Sequence, residues 1–209
     1  MCTFNPKLRT SYANRLSRHQ TRKIHDRHLV PAAVAIVLSK SKTGNEVTFL
    51  LTQRAPHLTR HGGQYALPGG RIEANESIQT AALRELYEEV GIIAPPNQII
   101  GRLDDFPTRS GFCVSPVVVW LDDDPKITLD PTEVNAIFAI PLKELHHPDV
   151  PRLEAIPESN QPVLSIFFDS LSTQVFAPTA AILYQFREVA LLGKSTRVAH
   201  YEQPVFAWR

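Results

Sequence analysis

The segment from Gly69 to Ile92 constrains this chain more than any other. It holds a Gly-Gly pair, a short polar loop and then a helix whose acidic residues share one face. Ile78, Ala82, Leu86 and Val90 recur at every fourth position, with Ala81 alongside. Residues 77 to 90 therefore read as one amphipathic helix with a single apolar stripe. Ser77 suits the N-cap and Gly91 the C′ position, while Pro95-Pro96 forbids continuation. Glu85, Glu88 and Glu89 stand at i, i+3 and i+4, so their carboxylates gather on one side of the helix. Like charges at that spacing cost a few tenths of a kcal/mol per pair. Two settings tolerate them: a fully solvated face, or a hard divalent cation among the oxygens. Mg²⁺ takes a few carboxylates together with waters and substrate phosphates, which such a face can offer. Arg84 lies on the flank where Glu76 can return from the preceding loop, and that pair would hold loop to helix. Gly69-Gly70 lets backbone approach a ligand closely, and the Gly70 carbonyl is itself a candidate cation ligand.

The rest of the chain alternates strands and helices irregularly, which predicts an α/β fold with a mixed sheet between helical layers. Val30–Leu38 reads as a buried strand and Val47–Leu51 as its hairpin partner. Ile99–Leu103, Phe112–Leu121, Val134–Ile140 and Val163–Phe168 read as further strands, with a short helix over Pro141–His146. Residues 147–162 hold four prolines and many polar groups and are expected to form a loop or linker. Residues 179–192 form a second strong helical pattern, ended by Gly193, and the aromatic tail to Arg209 is expected to dock. No internal repeat is visible. At 209 residues the chain suits one domain with extensions.

The full pattern around the helix is Gly70, five residues, Glu76, seven residues, Arg84-Glu85, Leu86, Tyr87, Glu88-Glu89, Val90, Gly91, Ile92. At roughly 6% usage per fixed residue, its seven fixed positions would coincide by chance in fewer than about one in 10⁵ such chains. The pattern is that of the Nudix box at every position, and the chain resembles the Nudix hydrolases. The resemblance, which spans about residues 30 to 145, implies a Nudix-type α/β/α sandwich with a mixed β-sheet; a single domain over residues 29–209 is expected, preceded by a basic arm at 1–28. It implies Mg²⁺ or Mn²⁺ held by Glu85 and Glu89, with Glu88 and the Gly70 carbonyl nearby. It also implies cleavage of the diphosphate bond in a nucleoside diphosphate linked to another group. A second resemblance bears on the substrate. Leu50-Leu51-Thr52-x-Arg54, Gly63 and Pro68-Gly69-Gly70 look like the segment that precedes the box in coenzyme A diphosphatases. Ala55, Leu67 and Thr59 stand where that branch has Ser, Phe and Arg.

Hydrolysis needs an attacking water, charge neutralisation and an oriented leaving phosphate. Glu88 is the in-box candidate for a further ligand or general base, and Glu133 the candidate from outside the box. Arg54 and Arg60 are candidates for binding substrate phosphates, since guanidinium groups match phosphate bidentately. His57 and His61 read as surface residues, because carboxylate-rich Mg²⁺ sites rarely take imidazole. The expected partner is a small nucleotide diphosphate: coenzyme A or an acyl-coenzyme A, with ADP-ribose, NADH or a dinucleoside polyphosphate as the alternative. A non-catalytic module binding a nucleotide or RNA is a further alternative, opposed by the intact set of repelling carboxylates. The net charge of +1 argues against a nucleic-acid packer, yet it hides an asymmetry. Residues 1–28 carry seven Lys or Arg against one acid, Asp26, and the remainder is fifteen basic against twenty acidic. Cys2 and Cys113 give no disulfide framework, and no stretch approaches the ~18 apolar residues of a membrane span. A cytoplasmic protein is expected; the Arg-rich arm also fits an organelle transit peptide. A homodimer is left open.

Overall fold

The computed structural model describes residues 3–58, 61–122 and 125–208. In chain order its main elements are α1 (Pro6–Arg18), β1 (Val30–Lys40), β2 (Val47–Arg54), β3 (Tyr65–Ala66), β4 (Gly69–Arg71) and α2 (Ile78–Val90). There follow β5 (Ile99–Arg102), β6 (Phe106–Pro107), β7 (Phe112–Trp120) and β8 (Val134–Pro141). The last third adds β9 (Arg152–Ile156), β10 (Ser159–Phe168), β11 (Thr173–Phe176) and α3 (Thr179–Phe186). The first eight strands form one mixed sheet with the spine β3-β2-β1-β7-β5, onto which β4, β6 and β8 pair at β1, β7 and β2. β1 and β7 run parallel, from Val30 beside Phe112 to Leu38 beside Trp120. β9, β10 and β11 form a separate antiparallel sheet.

Period-2 alternation in β1 divides the core in two. Ala33, Ala35 and Val37 meet Ala81, Ala82, Leu86 and Val90, the stripe read from the sequence, so α2 covers one face. Ala32, Ile36 and Leu38 meet the opposite cluster, which is covered by α1, α3 and the small sheet. The expected α/β arrangement with a mixed sheet between layers is what forms. No helix among the described residues is long and apolar enough to cross a membrane. Cys113 is a buried free thiol, and burial pushes it up to about 11.

Three segments depart from the sequence reading. Residues 147–162 are not a loop throughout: they hold β9 and the start of β10. Four of the five β9 residues are exposed, so the strand has no buried face to mark it in sequence. Pro162 stands inside β10 where the register against β9 shifts, a place that needs no ladder N–H from it. The helix over 179–192 is α-helical only to Phe186 and continues as a π-turn over Arg187–Leu191. The basic arm contains a packed helix. Asn5 caps α1 by accepting from the Leu8 N–H at 2.9 Å, and Tyr12 and Leu16 are each only 2% exposed. Arg15 donates to the carbonyls of Ala190 and Leu191 at 2.8 and 2.5 Å. Phe4 stacks on Trp120 at 4.5 Å.

Candidate active site

β4 and α2 bring the box residues together. Gly69 and Gly70 lie beside Val34 and Ala33 in the β1–β4 ladder. A Cβ on Gly69 would strike the Ala33 carbonyl and Val34, and one on Gly70 would fall on the Glu85 carboxylate. The sheet backbone therefore requires glycine at Gly69, and at Gly70 a side chain would displace the Glu85 carboxylate. Ser77 accepts from the Thr80 N–H at 3.1 Å to start α2. Gly91 ends it in the left-handed conformation at φ 72°.

Arg84 is the hub of the acidic face. Its Nε and Nη2 donate to the two Glu76 oxygens at 2.9 and 3.0 Å. Its Nη1 donates to Glu85 at 2.9 Å and to Glu88 at 2.7 Å, and Nη2 also reaches the Arg71 carbonyl at 2.9 Å. These hydrogen bonds raise the guanidinium above its ordinary value. Glu89, only 3% exposed, sits on the other flank. It accepts from the Gly69 N–H at 3.1 Å and lies 3.9 Å from the Arg54 guanidinium. Burial pushes its carboxyl up to about 8, against the pull of Gly69 and Arg54, and the charges of Glu85 and Glu133 push it further. Burial likewise raises Glu85, with Glu88 and Glu133 adding to it against Arg84.

Glu133 thus acts on both Glu85 and Glu89 from outside the box. The β2–β8 ladder places Val134 opposite Arg54, and the Glu133 carbonyl accepts from the Ala55 N–H at 2.8 Å. Four carboxylates (Glu76, Glu85, Glu88, Glu89) share two guanidiniums, Arg84 and Arg54, and the charge of Glu133 acts on two of the four. The surplus is negative, all-oxygen and partly desolvated, which fits Mg²⁺ or Mn²⁺ by donor chemistry. Among the described residues no three His, Cys, Asp or Glu side chains already form a closed metal cage.

Beside the carboxylates lies a cavity of about 350 Å³. Arg54, Gly69, Gly70 and Tyr65 line the side near the box, and Thr108, Ser110 and Phe112 line another. The remaining wall is Pro178, Thr179, Ile182, Gln203 and Ala207, from the last third of the chain. His61 lines the cavity too, whereas His57 bonds the Thr132 carbonyl at 3.1 Å. The Tyr65 ring packs 5.5 Å from that of Phe138. Arg60 lies outside the described residues. Sequence reasoning missed the wall from residues 178–207, and no local signal could have exposed it, because it depends on how distant segments dock.

The NUDIX domain family matches residues 29–159, more than half of the chain. The chain belongs to the Nudix family. Its box lies within that match, and the cavity wall at 178–207 lies beyond it. Over 101 residues the chain is 43% identical to an uncharacterized Nudix hydrolase, NudL, of Yersinia enterocolitica, covering 47% of this chain and 51% of that protein. It is 33% identical over 118 residues to Nudix hydrolase 3 of Caenorhabditis elegans, covering 54% and 49%. The chain thus spans about half the length of these curated relatives. Among solved structures, a MutT/nudix family protein of Enterococcus faecalis shares the fold with a TM-score of 0.50 and 16% identity, covering 88% of this chain and 73% of that one.

Proposed function

We propose that this Nudix protein is a divalent-cation-dependent hydrolase that splits the diphosphate bond of a nucleoside diphosphate derivative, with coenzyme A or an acyl-coenzyme A as substrate. The observation that carries the reading is the surplus of partly buried carboxylates beside the Arg54 and Gly70 side of a largely apolar cavity of about 350 Å³, a size suited to a small-molecule ligand. The Leu50–Gly70 segment supports the coenzyme A assignment through its likeness to that branch. Glu85, Glu89, Glu88 and the Gly70 carbonyl would hold the Mg²⁺ or Mn²⁺. A divalent cation bound there supplies charge neutralisation at the phosphate and acidity to the attacking water. The protein's own groups do the rest. Arg84 fixes Glu85 and Glu88, and through Glu76 it fixes the loop that ends on the helix. Arg54 offers its guanidinium to the phosphate, and its Nε is buried without a protein partner among the described residues. Arg60 is assigned the same task. Glu88 or Glu133 takes the proton of the attacking water as its oxygen bonds to phosphorus and the second phosphate leaves with the bridging oxygen. The ligand's diphosphate lies toward Arg54 and Gly70, and the group attached to it enters the cavity.

Product analysis with Mg²⁺ on coenzyme A, acyl-coenzyme A, ADP-ribose, NADH and dinucleoside polyphosphates tests the proposal. The expected products from coenzyme A are 3′,5′-ADP and 4′-phosphopantetheine. Cleavage confined to ADP-ribose or NADH would replace the substrate, and no metal-dependent cleavage anywhere would overturn the hydrolase reading.

A further inference from the structure

The far wall of the cavity comes from a segment outside the family match, and two of its polar side chains lack a hydrogen-bond partner among the described residues. Gln203 is 3% exposed and lines the cavity. Its backbone is fully engaged: the N–H donates to Glu202 at 2.9 Å and the carbonyl accepts from the Trp208 indole at 2.9 Å. Its side-chain amide has no hydrogen-bond partner among the described residues. Thr179, 8% exposed, lines the same wall, and its hydroxyl is likewise without one. Buried polar side chains are ordinarily satisfied, so an unpaired amide facing a cavity is matched to something that enters it. Among the described residues the lining includes Arg54, Arg71 and His61 and no carboxylate, and the surface between them is largely apolar. An anionic diphosphate is therefore favoured at the Arg54 side and an uncharged group in the interior.

Gln203 is held in place from across the cavity. Arg109 belongs to the turn whose neighbours Thr108, Ser110 and Phe112 line the opposite wall. Its guanidinium ion-pairs with Glu202, with Nε donating at 3.1 Å, and lies 5.0 Å over the Trp208 ring. One residue thus grips the tail on both sides of Gln203.

We propose that Gln203 is a specificity-determining residue, its amide hydrogen-bonding the uncharged group that the substrate's diphosphate carries into the cavity, with Arg109 as the positioning residue. A wall built outside the shared family region distinguishes substrates and is not part of the common diphosphate chemistry. The inference rests on the hydrolase reading for its ligand class, and the test separates the two.

Coenzyme A, ADP-ribose, NADH and a dinucleoside polyphosphate share an adenosine phosphate portion and differ in the group beyond it. Their Kd values are measured by calorimetry in EDTA, where metal-dependent turnover is absent, and their kcat/KM values with Mg²⁺. Gln203→Leu is expected to weaken the tightest member at least about tenfold and to leave the weakest within about twofold, changing the ranking. Gln203→Asn, which keeps the amide on a shorter arm, is expected to fall between and serves if the leucine variant does not fold. Arg109→Ala is expected to shift the ranking the same way, with no further loss when combined with Gln203→Leu. A uniform loss across the panel, no change, or no binding of any member to the wild type would overturn the Gln203 assignment. Multiplicative losses in the double variant would remove Arg109 from it. Selective binding without turnover would sink the hydrolase reading and leave Gln203 standing.

Discussion

Glu89 concentrates the chemistry in one side chain: a carboxylate placed where burial disfavours its charge, beside two other carboxylates that disfavour it further. Such a residue is retained against its own desolvation, and the proposed cation is what offsets it. Glu89→Gln keeps the shape and an acceptor for the Gly69 N–H but discards the charge. It is expected to lower kcat on the order of 10²–10⁴-fold. In chelator its melting temperature is expected to be no lower than that of the wild type. A variant that is active, or one that unfolds, would each remove a leg of the argument. Gly70→Ala tests the same site sterically, because its Cβ would occupy the space of the Glu85 carboxylate; loss of turnover with an unchanged circular dichroism spectrum is expected. These residues were legible because their relations are local: i, i+3 and i+4 on a helix, and a glycine pair fifteen to twenty positions earlier. Glu133 was reached only as a candidate, since its position beside the box depends on β8 pairing with β2. Gln203 and Thr179 could not be reached at all, since nothing in their neighbourhood records the cavity that they face.

At the scale of elements, α2 followed from its apolar stripe, and α1 did not. The arm's seven basic residues dominate its composition, and they hide a short stripe in which Tyr12 and Leu16 alone are buried. Those two side chains nevertheless anchor the helix. Leu16 lies against Gly101 of β5 so closely that a Cβ there would collide with it, and the Tyr12 ring meets Trp120 at 6.3 Å and Phe186 at 6.1 Å. Leu16→Ala opens a void under the helix and is expected to cost about 2–5 kcal/mol in urea unfolding at constant m-value. A cost below about 0.5 kcal/mol, typical of a surface site, would show the helix to be a loosely attached leader. β9 and the first residues of β10 escaped detection for the opposite reason: their prolines and exposed residues carry loop chemistry, and their pairing is completed by the buried part of β10. Periodicity reports burial, so a strand with little buried surface leaves little periodicity behind.

At the scale of the whole molecule, three distant segments are tied together by buried carboxylates whose titration runs in one direction. Asp104 accepts from the Arg22 N–H at 2.8 Å, from Gln185 at 2.7 Å and from Arg197 at 2.6 Å, with His19 at 3.1 Å, joining the arm, the β5–β6 loop and the last third. These bonds hold its carboxyl below the ordinary value against the opposing effect of burial. Arg109 holds Glu202 down to about 2. For both acids the folded value lies below the unfolded one, so their contribution to stability is present above the unfolded value and disappears as pH falls through the folded one. His19 is lowered by burial, with the Asp104 charge opposing. Its neutral form is the folded one, and its contribution is likewise present above the unfolded value near 6.5 and lost below it. The three groups therefore act in the same sense, and the chain is expected to be acid-labile in two stages, His19 first and the carboxylates later. Glu202→Gln isolates the second stage. Unfolding free energies from urea titrations at pH 7, 5, 4 and 3 are expected to favour the wild type by a constant amount above Glu202's ordinary value of 4.5. That advantage should close progressively toward about pH 2 as Glu202 takes up its proton. An advantage that stays level with pH would mean that the Arg109–Glu202 contact holds the tail by shape alone. One that widens on acidification would reverse the sign on which the account depends.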